Sequence, residues 1–464
     1  MIRFNKIQVI FFLALWMGNT FSANCFGQRL DGNGEYRMLN PISPVGVYIA
    51  DPEGRQMPDG RVYVYGSRDE PNNPWCSQRY DILSSSDLCT WHVEQNSFAT
   101  QGLGKQVDYT EKALYAPDCV YYQGKYYLYY CLEGGGEDEG VAVSDSPYGP
   151  FRDGKIIKGI HGIDPSVLID DDGQAYLFWG QGHARGAKLS KDMMSIEGEI
   201  HDSLLTYERD AFNEASSVKK RNGIYYYVYG GHQRHGESNC ATLNYATATS
   251  PLGPYTYRGV IIDNWNSQKN VENNHGSLAV INGKWYIFYH RPTHGGTTMR
   301  KACMEPIVFN ADGTIQEVEM TTQGIGGPMN PTMRMDAARA CQLNGNLFVN
   351  ERHPAYDVPV EYLSDIHSGD VAYWKYYHFK HPVSRFVCKT WGISKDSKIE
   401  LHLDRPDGKL IGICNISDNN QTAYSIHQTS IQKVSGVHAL VMVFKSDKYP
   451  SENIMNLEWF QFEK

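Results

Sequence analysis

Five glycines set the frame of this 464-residue chain. Each opens a run rich in aromatic and β-branched residues: Gly60-Arg-Val-Tyr-Val-Tyr-Gly, Gly124-Lys-Tyr-Tyr-Leu-Tyr-Tyr, Gly173-Gln-Ala-Tyr-Leu-Phe-Trp, Gly223-Ile-Tyr-Tyr-Tyr-Val-Tyr and Gly283-Lys-Trp-Tyr-Ile-Phe-Tyr. The glycines lie 64, 49, 50 and 60 residues apart. Such residues favour strands. A repeat of this length, with hairpin chemistry and little helical periodicity, reads as one propeller blade per unit. Asp59-Gly60, Asp172-Gly173, Asn222-Gly223 and Asn282-Gly283 supply the tight turns, where positive φ is needed. Second turns recur at Ser146-Pro-Tyr-Gly-Pro150 and Ser250-Pro-Leu-Gly-Pro254. A five-bladed β-propeller is expected over residues 30–325. Gly324-Ile-Gly-Gly-Pro-Met-Asn-Pro331 breaks the pattern as a linker. Beyond it, Ile399, Leu401 and Leu403, then Leu440, Met442 and Phe444, alternate as strands of a β-sandwich over 333–464. The expected class is all-β.

Repeat symmetry also carries chemistry. Nine residues before each glycine stand Asp51, Tyr115, Asp164, Glu214 and Asn274. Equivalent positions in blades are related by rotation about the propeller axis, so three distant carboxylates should meet in one pocket. Any one acid before a strand is usually a turn former or cap. Three in phase are harder to explain that way, because clustered carboxylates raise one another's pKa and cost stability.

Such a set suits glycoside hydrolysis. One acid protonates the departing oxygen, and a second carboxylate activates water or attacks the anomeric carbon. Glu214 fits the general acid, its proton retained by a neighbouring charge. Asp51 fits the general base, and Asp164 would raise the pKa of Glu214. A separation of about 6.5–9.5 Å between acid and base would mean inversion.

A net charge of −9 argues against nucleic acid as partner. Arg3 and Lys6 precede an apolar run, Ile7 to Met17, broken only by Gln8. It is too short to span a bilayer and reads as a cleaved export signal over residues 1–24. No later segment reaches membrane-span length. Cys25 follows the expected cut, but Ala23-Asn24 before it is a poor match to a lipoprotein signal. The expected location is periplasmic, cell-surface or extracellular. Ten cysteines include no C-x-x-C pair, which speaks against zinc; export permits disulfides.

The runs Tyr48-Ile-Ala-Asp51-Pro, Tyr115-Ala-Pro-Asp118, Gly162-Ile-Asp164-Pro-Ser, Phe212-Asn-Glu214-Ala-Ser and Asn274-His275-Gly-Ser resemble glycoside hydrolase family 43. The resemblance covers about residues 40–325, in the family's order. It implies a five-bladed propeller, an inverting mechanism and, in many members, exo-acting arabinofuranosidase or xylosidase activity on oligo- or polysaccharides. It maps Asp51 to the base, Asp164 to the pKa modulator and Glu214 to the acid. Ala-Ser follows Glu214 where many members carry Gly-Pro or Ala-Pro. Arg300 resembles the family's arginine that reaches substrate hydroxyls. His275 matches a histidine that in similar enzymes lies near a calcium or sodium ion held by waters, so a structural calcium is an expectation of the resemblance; no cofactor is required. Trp75, Tyr115, Trp179 and Phe212 are candidates for the sugar platform, or for packing within the blades.

Ile399-Glu-Leu-His-Leu-Asp404, Ser435-Gly-Val-His-Ala-Leu440 and Asn456-Leu-Glu-Trp-Phe460 resemble family 6 carbohydrate-binding modules. Ala338 stands where these usually carry a Glu and Glu458 where they carry an Asp, both calcium holders. The usual tryptophans are missing around Tyr424 and His427. Sugar binding and packing against the propeller both remain as roles. The expected activity is an exported α-L-arabinofuranosidase, with β-xylosidase and then galactose-directed activity behind it. A catalytically silent carbohydrate-binding propeller is the reading from another class.

Overall fold

The aromatic run after each of the five glycines forms the second strand of an antiparallel sheet. A computed structural model describes residues 39–464, apart from 72, 74, 103, 135, 137–138, 237–238, 354–358 and 418–423. The export signal and Cys25 lie outside the described residues. The first sheet holds β1 (Ile49–Gln56), β2 (Val62–Arg68), β3 (Arg79–Ser85) and β4 (His92–Ala99). The second holds β5 (Leu114–Tyr122), β6 (Lys125–Leu132), β7 (Gly140–Ser144) and β8 (Arg152–Ile156). The third holds β9 (Ser166–Ile169), β10 (Ala175–Trp179), β11 (Arg185–Leu189) and β12 (Ile196–His201). The fourth holds β13 (Phe212–Arg221), β14 (Ile224–Gly231), β15 (Thr242–Ala248) and β16 (Thr256–Asp263). The fifth holds β17 (Ser277–Ile281), β18 (Lys284–Arg291) and β19 (Lys301–Pro306). First strands touch in turn, β1 with β5, β5 with β9, β9 with β13 and β13 with β17, and β17 touches β1. They therefore ring one axis, and the architecture is the five-bladed propeller that the repeat predicts.

The turn glycines owe their identity to backbone shape. Their φ values run from 75° to 88°, and a Cβ at any of the five would meet nothing within 4 Å. Space is free there; the left-handed conformation is what a side chain would strain. Between blades the tyrosines are mostly core: Tyr63, Tyr65, Tyr80 and Tyr130 pack with Phe98 between the first two sheets. Each buried aromatic of this size contributes roughly 1.5–3 kcal/mol.

The fifth sheet has three strands, and the N-terminal segment completes it. Ile42 donates its N–H to Ala302 O at 2.9 Å. Asn40 Oδ1 accepts from Met304 N at 2.8 Å, and its Nδ2 donates to Met304 O at 3.1 Å. The ring is thus closed by chain from both ends of the propeller.

Two sheets make the C-terminal sandwich. One orders Phe348–Arg352, Val360–Ile366, Met455–Glu463, Arg385–Ser394 and Tyr424–Ser430. The other orders Gln342–Asn344, Val371–Phe379, Gly436–Lys445, Ser397–Leu403 and Leu410–Ile416. Inward Leu401, Leu440, Met442 and Phe460 fill the space between them. The sandwich packs on the closing seam. Lys301 pairs with Glu361, Tyr48 Oη donates to Glu351 at 2.6 Å, and buried Arg339 donates to the carbonyls of Leu39, Asn40 and Pro41 at 3.2–3.3 Å. Among the described residues, Cys76, Cys119, Cys131, Cys240, Cys303, Cys341, Cys388 and Cys414 are buried thiols outside any disulfide. No helix among the described residues is long and apolar enough to cross a membrane.

Candidate active site

Polar side chains from the ringed strands occupy the axis in two layers. The deeper layer is a closed ion network. Arg55 on β1 donates Nε and Nη2 to the two oxygens of Asp118 on β5, at 3.0 and 2.5 Å. Lys219 on β13 donates to Glu53 Oε1 at 2.6 Å, and Ser217 Oγ to Glu53 Oε2 at 2.9 Å. Arg55 also stands 3.2 Å from Glu53. Two acids meet two bases, and this layer plugs the axis.

The upper layer lies where the strands break register. Bulges fall between Ala50 and Glu53, between Tyr115 and Asp118, and between Glu214 and Ser217. Asp51 and Ala215 take positive φ there, at 51° and 71°, and Asp164, two residues before β9, does so at 61°. Aspartate tolerates this left-handed region better than most residues. Bulges re-aim side chains, and strain of this kind gathers at functional sites. Asp51, Asp164 and Glu214 accordingly line one hollow of about 280 Å³, together with Trp75, Tyr115, His275 and Arg300. The three carboxylates that stand in phase along the repeat thus share one hollow.

Their electrostatics differ. Arg300 donates Nη1 to Asp51 Oδ1 at 2.8 Å, while its Nε and Nη2 grip Asp69 at 2.9 and 3.0 Å. Ser67 Oγ donates to Asp51 Oδ2 at 2.5 Å. Burial works to raise the Asp51 carboxyl, but Arg300 together with His290 and His275 outweighs it and holds the group well below the usual carboxylate range. Asp164 is the opposite case. Burial, Glu214 and Asp51 push it well up, against one hydrogen bond from Ala215 N at 2.8 Å. Glu214 keeps some contact with the hollow, but burial raises it too, and Asp51 adds to the rise against a 3.0 Å bond from Gln181 Nε2. Asp164 and Glu214 together hold a proton above the usual carboxylate range. One side of the hollow thus keeps a fixed negative charge and the other a bound proton.

The model of the glycosyl hydrolases family 43 matches residues 38–315. The chain belongs to that family. A family 6 carbohydrate binding module matches residues 357–464. The chain is 29% identical to the arabinoxylan arabinofuranohydrolase of Bacillus subtilis, over 87% of this chain and 88% of that one. It is 32% identical to a xylosidase/arabinosidase of Thermoclostridium stercorarium, over 70% of this chain and 76% of that one. Among solved structures it is similar to a family 43 arabinoxylan arabinofuranohydrolase from Bacillus subtilis in complex with cellotetraose, with a TM-score of 0.51 and 26% identity, covering 90% of this chain and 96% of that one. Membership of family 43 makes the chain a glycoside hydrolase acting on O-glycosyl bonds.

Two of the candidate platform residues are corrected. Trp179 is fully buried, packs with Leu177 and Val167, and donates Nε1 to His161 O at 3.0 Å. Phe212 is fully buried against Tyr227 and Tyr229. Phe212 ends up in a blade core because the bulge beside it turns Glu214, and not the aromatic ring, toward the axis, and Trp179 because its ring packs into the cluster around Val167 and Leu177. Trp75 and Tyr115 do line the hollow, and Arg300 lies over the Trp75 ring at 5.1 Å.

His275 Nδ1 stands 3.6 Å from Asp51 and 3.8 Å from Asp164. Burial pushes its pKa down to about 4, against the pull of Asp51, so the ring is neutral near pH 7. Among the described residues no group of three or more His, Cys, Asp or Glu could hold a metal. His275 offers one nitrogen and would need waters to complete a calcium site. In the sandwich, Glu458 is taken up by Lys389 at 2.9 Å and Arg352 at 3.1 Å, and Ala338 brings no ligand, in line with the departure of these two positions from the calcium-holding pattern.

Sequence reasoning missed Asp69, Gln181, Asn273, Ser67 and His290. A signal existed for two of them. Seven residues after the turn glycines stand Ser67, Cys131, Gly180, Gly230 and His290, at the inner ends of the second strands.

Proposed function

We propose that this enzyme removes single arabinofuranosyl or xylosyl residues from plant-type polysaccharides with inversion, α-L-arabinofuranosidase activity leading. The carrying observation is the asymmetry of the hollow: an Asp51 carboxylate fixed by Arg300 faces a proton-holding pair, Asp164 and Glu214. Asp51 accepts a proton from water as that water attacks the anomeric carbon. Glu214 delivers its proton to the departing oxygen. Asp164 keeps that proton bound near neutral pH by repelling a second charge. Arg300 and Trp75 orient the ring. About 280 Å³ suits one sugar ring, being smaller than the roughly 300–1,000 Å³ typical of drug-sized ligands, and so favours exo action. The names of the relatives from Bacillus subtilis and Thermoclostridium stercorarium support the choice of sugars. Calcium near His275 would bind through waters, and no step uses it. Export by the N-terminal segment is part of the proposal; cell fractionation finding the protein only in the cytosol would remove it.

The test is a panel of nitrophenyl glycosides with the wild type and Glu214→Gln. The α-L-arabinofuranoside should be cleaved fastest, with β-xyloside next. Early NMR spectra should show the inverted anomer. A wild type that cleaves none of the panel would overturn the reading in favour of a silent binding propeller.

A further inference from the structure

We infer that His290 is a positioning residue which, with Asn273, ties the backbone of Asp51 to the carboxyl of Glu214. The inference rests on the roles proposed above for those two residues. His290 is fully buried at the end of β18. The Asp51 backbone N–H donates to its Nδ1 at 3.2 Å. A backbone amide cannot reverse its role, so Nδ1 carries a lone pair and the proton of the neutral ring sits on Nε2. Nε2 lies 3.1 Å from Asn273 Oδ1. The amide of Asn273 must therefore present its oxygen to His290 and turn its NH₂ away. Asn273 shares the wall of the hollow with Glu214, where its hydrogen bond works to lower the pKa of the Glu214 carboxyl. The direction of the whole chain, Asp51 to His290 to Asn273 to Glu214, follows from one donor that cannot flip.

The surroundings keep the link in place. Asn264, fully buried, donates Nδ2 to the carbonyls of Asn273 and His290 at 3.0 and 2.9 Å. Asp51 Oδ1 is 3.4 Å from His290 Nδ1 but already takes Arg300 at 2.8 Å. Burial and Arg300 disfavour a charged imidazole, against Asp51 and Asp69. Other blades use the same step of the second strand to reach the next blade. Ser67 Oγ accepts from Ala116 N at 2.7 Å, and Cys131 Sγ accepts from Asp164 N at 3.3 Å. Gly180 and Gly230 have no room for a side chain: a Cβ would stand 2.0 Å from His183 O or 2.7 Å from Asn274 O. The left-handed backbones of Asp51 and Asp164 are thus each held from the preceding blade.

Two variants separate the halves of the link. His290→Asn keeps an acceptor near Nδ1 and loses the contact to Asn273. His290→Gln keeps a donor near Nε2 and loses the hold on Asp51. With kcat/KM measured against pH, on activated and unactivated leaving groups, His290→Asn should lose on the order of tenfold more on the unactivated one, since a loosened acid is missed most there. Its alkaline limb should move. His290→Gln should lose equally on both leaving groups with the alkaline limb in place. His290→Asn combined with Asn273→Ala should cost no more than the worse single change. Unshifted limbs and unchanged leaving-group ratios in both variants would overturn the inference. Should the variants not fold, neutron diffraction on the wild type decides: deuterium on Nε2 is expected, and deuterium on Nδ1 means that the ring donates to the Asp51 carboxylate instead. Wild-type inactivity on every glycoside would sink the proposed function, while the neutron map would still judge the link.

Discussion

Asp51 and Glu53 stand two residues apart on β1, both buried, under different electrostatics. Around Glu53, two acids are matched by Arg55 and Lys219, each at bonding distance. Around Asp51, four acids (Asp51, Asp69, Asp164 and Glu214) share the single guanidinium of Arg300, and the nearby histidine is neutral. One layer satisfies its charges and closes the axis. The other leaves charge unbalanced, which costs stability and holds the proton that the chemistry requires. The contrast teaches that one symmetric scaffold supports both uses, and that pairing, not residue type, tells them apart.

Substitutions can break that contrast. The largest effect is expected from Glu214→Gln: kcat/KM on an unactivated glycoside should fall about 10²–10⁴-fold, with much of the loss recovered on an activated leaving group. Its thermal midpoint should hold or rise, because a repelling charge is gone. A large drop in stability would mean that the upper layer is structural too. Next comes Asp118→Asn, which leaves Arg55 half-partnered in a buried site. Urea melts should show a loss of about 3–5 kcal/mol, while the folded fraction keeps its kcat. A variant with native stability and no activity would reverse the assignment of the two layers.

Asp164→Asn should act through pH. The alkaline limb of kcat/KM follows the proton on the Glu214–Asp164 pair, so activity falls as pH rises through a value above the usual carboxylate range. Removing Asp164 should move that limb down, each unit being worth about 1.4 kcal/mol. The acid limb, set by Asp51, should stay below the usual range. The last effect bears on stability alone and concerns a buried carboxyl outside both layers. Burial pushes Glu305 up to about 8, against bonds from Thr321 and Asn40. Unfolded, it loses its proton near 4.5, so between these values the unfolded chain binds fewer protons. Its contribution to stability is complete below 4.5 and fades as pH climbs to about 8, by at most roughly 1.4 kcal/mol per pH unit. Glu305→Gln should flatten that slope in melts taken across this window.

The blades were legible because their signals are local: a glycine with positive φ and an aromatic strand need no distant partner to be recognised. The three acids were legible because blades repeat, and counting back from each turn finds the same inner position. Trp179 and Phe212 stayed open between platform and blade packing because an aromatic residue near the axis looks alike in sequence whichever way its ring turns. The ion network of Arg55 and Asp118 stayed hidden because its neutrality exists only through pairing across blades. Asp69 lies past the aromatic run of its blade, where no pattern marked it, and His290 was marked only by its step of seven from the turn glycine, which counting back from the turns does not reach.

The closing seam has a kinetic consequence. Asn40 and Met304 are 264 positions apart along the chain, against the two or five residues that join the first two strands of each blade. Hairpins can form as soon as they leave the ribosome, but the circle cannot be completed until the fifth sheet has emerged. Arg339 adds its clasp later still. Docking of the N-terminal segment is therefore the long-range, slow event of folding, and until it happens the edge of β19 is open to pairing with another chain.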